Sequence, residues 1–81
     1  MTILDLEEGE TGAIQALHSD AAARRRIQAL GLFAGRRVCV IARGPFQGPL
    51  LVEDVASGAR VMIARELAEG IEVTGEPAVR T

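Results

Sequence analysis

Residues 24–38, RRRIQALGLFAGRRV, set five arginines around an apolar knot, and the reading of this stretch decides the fold. Two readings compete. One is a basic face for nucleic acid; the other is a helix, its stop and a strand that together carry a protein-binding connector. The lead-in, HSDAAARRRIQALGL, has the marks of a helix. Ser19 or Asp20 can accept hydrogen bonds from the free N–H groups of a first turn. Three alanines and three arginines favour helix. Ala23, Ile27 and Leu30 repeat at helical spacing, so one stripe is apolar while Arg24, Arg25 and Gln28 face elsewhere. The spacing predicts a helix over about 20–30. Gly31 stands where a left-handed terminating residue is wanted, and Leu32 then reaches back onto Ile27.

Beyond the stop the period changes from helical to two. In AGRRVCVIAR (34–43), Val38, Val40 and Ala42 share one face and Cys39 and Ile41 the other. Both faces are apolar, as in a strand covered on each side. GPFQGP (44–49) is a turn, with Gly44 and Gly48 for unusual backbone angles and two prolines that cannot donate to a ladder. LLVEDV (50–55) returns as a strand, ASG (56–58) turns, and ARVMIA (59–64) is a strand with Val61 and Ile63 on one face. RELAEG gives a short helical turn, about 65–69, stopped by Gly70, before a closing strand IEVT (71–74). Upstream, AIQAL (13–17) is a strand with Ile14 and Ala16 on one face. It is preceded by a turn, EEGETG, and by Ile3, Leu4 and Leu6, which tether the start to the core.

These elements make a mainly β domain, a small five-stranded barrel with one inserted helix. Closure removes exposed sheet edges. The whole chain, 1–81, reads as one domain with its core over about 3–74 and a flexible tail at 75–81.

Composition narrows the function. The net charge is −2, but it is unevenly placed. Residues 1–20 carry five acids and no arginine. Residues 21–52 carry six arginines and no acid, and residues 53–81 carry six acids against three arginines. Lysine is absent. The blocks are expected to neutralise one another in the fold, since nucleic-acid binders are usually basic overall. Two phenylalanines, with no Trp or Tyr, are too few for a base-stacking platform. A single cysteine, Cys39, makes no internal disulfide, so a reducing cytoplasm is the expected compartment. No apolar run approaches the ~20 residues of a membrane span, and the acidic start MTILDLEEGE does not read as a signal peptide.

No catalytic constellation emerges from one His, one Cys and two Ser. Neither GETG nor GPFQGP has the Lys-Ser/Thr context of a phosphate loop, so no cofactor is expected. Four regularly spaced Cys or His ligands for a structural metal are missing. His18 with Asp20 offers an incidental site for a divalent ion, nothing more.

The ordered series of motifs resembles the FeoA family. RRRIQALGLFAGRRVCV is similar to its helix–LGL–strand signature, and LDLEEGETGAIQAL to its opening, with Gly9, Gly12 and Ile14 in place. GPFQGPLLVEDV fits its Gly/Pro hairpin, and ARVMIARELAEGIEV its closing strand, turn and strand. Gln47-Gly48-Pro49 departs from the family's frequent Gly-Asp-Pro.

The resemblance implies an SH3-like barrel with a helix inserted after the first strand and no enzyme activity. It also implies a cytoplasmic accessory or regulatory role in ferrous iron transport, docked on FeoB, the membrane transporter with a cytoplasmic GTP-binding domain. Docking is expected at Leu32 and Phe33 on the connector leading to Gly35, and at Pro45 and Phe46 on the next hairpin, with Arg25 and Arg36 at the rim. Gly31, Ile27, Leu30, Gly44 and Gly48 are the framework of that site. Two alternatives stand beside this reading. One is a KOW-like RNA-binding barrel, loosely suggested by GRRVCVIARGPFQG. The other is a free-standing SH3-like module of the type found in metal-dependent repressors of the diphtheria-toxin type. No nucleic acid and no membrane insertion are expected, and the chain is expected to be a monomer or weak homodimer.

Overall fold

The computed structural model describes residues 1–46 and 48–75. Period-two segments become β1 (Thr11–Leu17), β2 (Arg37–Arg43), β3 (Leu50–Asp54), β4 (Arg60–Ile63) and β5 (Ile71–Gly75). The helical segments become α1 (Ala21–Ala29) and α2 (Arg65–Ala68). A 3-10 turn at Ile3–Asp5 precedes them; its Thr2 hydroxyl and Asp5 carboxylate cap each other's backbone reciprocally. Of the tail predicted at 75–81, Gly75 belongs to β5, and residues 76–81 lie outside the described residues.

All five strands form one antiparallel SH3-like sheet in the order β4-β3-β2-β1-β5. The expected closure is not made, because no ladder joins β4 to β5 among the described residues. The gap is bridged instead. α2 links the two strands, and the N-terminal turn packs against α2 and β5, with Ile3, Leu6 and Ala68 fully buried. Backbone from the N-terminus takes the free edge of β5, with Val73 N–H donating to Met1 O at 2.9 Å and a bridge between Thr2 and Glu72. An occupied edge offers no template for stray pairing.

Two bulges correct the face assignments. In β1 an extra residue falls between Ile14, opposite Val73, and Ala16, opposite Glu72. In β2 one falls between Val40, opposite Val52, and Ala42, opposite Leu51. Each extra residue inverts the alternation downstream. Ala16 therefore turns outward and Leu17 packs against the core. Ala42 likewise joins Leu51 on the outer face, not Val38 and Val40 on the inner one. Arg43, opposite buried Leu50, is turned onto the start of the chain, where Nη2 donates to Leu4 O at 2.7 Å and to Leu6 O. A residue counted among the basic block is thus an internal strut.

Candidate partner-docking surface

The connector between α1 and β2 is built by the helix stop. Asp20, not Ser19, is the cap: its carboxylate accepts Ala23 N–H at 2.8 Å. At the other end Gly31 adopts φ +88°, a region that costs a side-chain-bearing residue energy. Gly31 N–H then donates to Gln28 O at 2.9 Å and Leu32 N–H to Ile27 O at 3.4 Å, the paired bonds of a left-handed helix stop. Ile27 is the fully buried residue of α1 and Leu30 packs at the core margin.

Leu32 corrects the expected site. It is 1% exposed and belongs to the core, because the stop motif folds it back beneath the helix. It offers no surface to a partner and acts as the plug that holds the connector down. Phe33, the next residue, is 42% exposed. Its segment is hung on β1: Gly35 N–H donates to Ile14 O at 2.7 Å, and Ile14 N–H to Arg36 O at 2.8 Å. Arg36 N–H closes the turn on Phe33 O at 3.1 Å.

Arg36 reaches the 54–58 turn, where Nη1 lies 3.6 Å from Asp54 Oδ2. Asp54 is nearly buried, and its carboxylate is already engaged by Ser57 Oγ at 3.0 Å and Ala56 N–H at 3.3 Å. Val55, 37% exposed, is tied to this end by its N–H on Arg37 O at 3.0 Å. Sequence reading did not single out Val55, since its strand pattern gives no sign that β3 ends one residue earlier. Arg25 lies exposed on α1.

Pro45 and Phe46 do not join this surface. They sit on the β2–β3 hairpin, at the opposite end of the seven-residue β2, roughly 20 Å away by strand length. The turn predicted at 44–49 forms: Gly44 N–H donates to Pro49 O at 2.8 Å and Gly48 N–H to Pro45 O at 3.0 Å. A Cβ on Gly48 would stand 2.9 Å from Pro45 O, which explains that glycine. Phe46 is fully exposed with φ +56°, an uncommon backbone state for a bulky residue. Beside it runs a row that sequence reading missed. Ala42, Leu51 and Met62 face one another across β2, β3 and β4 on the outer face, with Met62 59% exposed. With Gly44 and Pro49 they line a shallow depression. The bulge at residue 41 concealed this row by placing Ala42 on the wrong face.

Between the charge blocks, Arg36 pairs with Asp54, as described above. Arg60 binds Glu53 at 2.8 Å and Arg65 lies 3.8 Å from Glu69, both within the acidic third of the chain. Arg24, Arg25 and Arg26 enter no ion pair among the described residues. His18 pairs through Nε2 with Glu72 Oε1, not with Asp20, whose carboxylate serves the helix. Among the described residues, no three His, Cys, Asp or Glu side chains converge as a metal site, and no helix is long and apolar enough to cross a membrane.

A five-stranded SH3-like sheet with a helix between its first two strands, and an exposed aromatic on the connector, defines a class of small SH3-like modules. Comparison with known proteins makes the assignment specific. The FeoA domain model matches residues 1–75, and the chain belongs to the FeoA family. It is similar to the FeoA protein of Chlorobium tepidum, with 28% identity over 99% of this chain and 74% of that one, at a TM-score of 0.84. It is also similar to Stenotrophomonas maltophilia FeoA complexed with zinc, with 29% identity over 91% and 89% of the two chains, at a TM-score of 0.70. That protein is a prokaryotic SH3 domain protein and a candidate ferrous iron transport activating factor. A manganese-dependent transcriptional repressor matches at 28% identity and a TM-score of 0.83, over 94% of this chain but 36% of its own. No curated protein sequence matches the chain.

Proposed function

We propose that this protein is a non-enzymatic, cytoplasmic accessory of ferrous iron transport that docks on the membrane transporter FeoB through the α1–β2 connector. The family match over residues 1–75 supports the transport role. One observation carries the site: Phe33 is exposed on a backbone that Ile14 and the buried Leu32 hold in place. A preorganised aromatic loses little conformational entropy on binding, the property of an interface anchor. Arg25 and Arg36 stand at its rim, and Gly35 makes the turn that presents it. Pro45 and Phe46 form a separate surface at the far end of β2, outside this contact.

The test titrates the labelled chain against purified FeoB in detergent, with GDP and with a GTP analogue. Saturable binding by the native chain, lost in a folded Phe33→Asp variant, is the expected result. Equal binding by that variant would refute the site, and no binding in either nucleotide state would refute the partner. A second reading, a module packed within a metal-dependent repressor, draws on the repressor likeness. It expects no transporter binding in the same titration.

A further inference from the structure

We propose that the connector end of the molecule takes an acidic polypeptide segment, whose carboxylates meet Arg24, Arg25, Arg26 and Arg36 while an apolar side chain seats at Phe33 and Val55. This rests on the docking reading above and adds the chemistry of the partner's contact.

Three observations lead to it. First, Arg24, Arg25 and Arg26 are consecutive, exposed and without ion pairs among the described residues. Successive helical residues step by about 100°, so the three guanidinium groups fan over roughly 200° of α1, leaving Ile27 to face the core. Arg26 lies about 6 Å of helix axis before Leu30, where the connector begins. Second, Arg36 sits at the same end, and Asp54, its ion-pair partner among the described residues, already accepts two other hydrogen bonds. Third, Glu53 and Asp54 beside the proximal half of β2 are already paired with Arg60 and Arg36, and the remaining acids along the strand stand at its other end. The acidic turn of Glu7, Glu8 and Glu10 lies beside the distal half of the strand: Gly9 N–H donates to Val40 O at 2.7 Å, and Glu8 Oε2 accepts Arg43 N–H at 3.0 Å.

That arrangement selects the occupant. A local acidic segment meets the cations of this end and none of the distal glutamates. A long polyanion would run on toward those glutamates, and the net charge of −2 opposes it. Exposed Phe33 and Val55 at the same end add apolar area, whereas the other phenylalanine is at the far hairpin, so no stacking platform forms. Arginine's fixed fork suits bidentate contact with carboxylates.

Binding of the full chain to purified FeoB is measured at low and high NaCl, about 50 and 500 mM, spanning Debye lengths of about 14 to 4 Å. Affinity is expected to fall at least about tenfold at the higher salt, mainly through slower association. R24E/R25E/R26E, shown folded by circular dichroism, should lose at least about tenfold at low salt, while R24K/R25K/R26K, which keeps the charge but not the fork, should lose less than the charge reversal. Salt-independent binding unchanged in the charge-reversed protein would overturn the acidic segment and leave the docking reading standing. Failure of the native chain to bind FeoB at either salt would overturn both. Poly(U) RNA bound more tightly than FeoB at low salt, and released by the same charge reversal, would reassign these arginines to phosphate and overturn the proposal.

Discussion

Each end of β2 exposes one phenylalanine, and the two are presented by opposite means. At the proximal end, Phe33 follows a buried leucine and precedes a backbone bonded to β1 on both sides of Gly35. At the distal end, Phe46 stands fully in solvent on a turn closed by two hydrogen bonds, with φ +56°. The first ring is presented by the core, at no cost in backbone strain. The second is presented in spite of its backbone, since a left-handed conformation costs a non-glycine residue about 1–2 kcal/mol. An aromatic held by the core is ready to bind, while one on an open hairpin must still be immobilised.

Mutations can break or sharpen that contrast. The largest effect is expected at Leu32. Leu32→Asp buries a carboxylate in the core, and even truncating a buried leucine costs about 2–5 kcal/mol, comparable to the whole stability of a domain this size. Circular dichroism should find the variant unfolded at 25 °C; a cooperative melt near that of the native protein would show that Leu32 is not the plug.

Next comes the strut. Arg43→Met removes the donor to Leu4 O and Leu6 O and leaves part-buried carbonyls unpaired, for a loss of about 2 kcal/mol and roughly 10 °C in Tm. Amide exchange at Val73, whose N–H holds Met1 O, should accelerate in step; unchanged protection there would mean the N-terminal segment is fastened by something else.

A smaller loss is expected at the helix stop. Gly31→Ala meets no atom within 4 Å, so its cost is the positive φ alone, about 1 kcal/mol and 4–8 °C in Tm. A larger drop would point to a contact beyond backbone strain.

The smallest effect has the opposite sign. Phe46→Asn replaces a bulky residue by one that tolerates the left-handed region, and should raise Tm by a few degrees. A fall in Tm would mean that the ring contributes packing and that the two ends are more alike than their exposure indicates.

Much of the fold was legible in the residues. The cap, the apolar stripe through Ile27, the stop at Gly31 and the Gly/Pro hairpin are local signals, each satisfied by bonds spanning a few residues. Of the residues that the sequence singled out for docking, Phe33, Gly35 and Arg36 lie on the connector and Arg25 lies exposed on α1, whereas Leu32 is withdrawn into the core and Pro45 and Phe46 stand on the hairpin at the far end of β2. Leu32 illustrates the limit: the same motif that places it after a helix stop decides that it is buried. Adjacency in sequence to an exposed residue therefore carries no information about its own exposure.

What local chemistry determined, then, is the element order and the turns, because capping, chirality and proline geometry act within a single turn of chain. The tertiary structure decided which faces are inside. Two bulges, visible only once β1 lies beside β5 and β2 beside β3, inverted Ala16, Leu17, Ala42 and Arg43. They also moved an arginine from the apparent basic face to a pair of backbone carbonyls. A bulge is a property of two paired strands, since the extra residue is extra only against its partner. The separation of the two phenylalanines has the same origin: the length of β2 sets them apart, and it becomes a distance only when the strand is extended in the sheet.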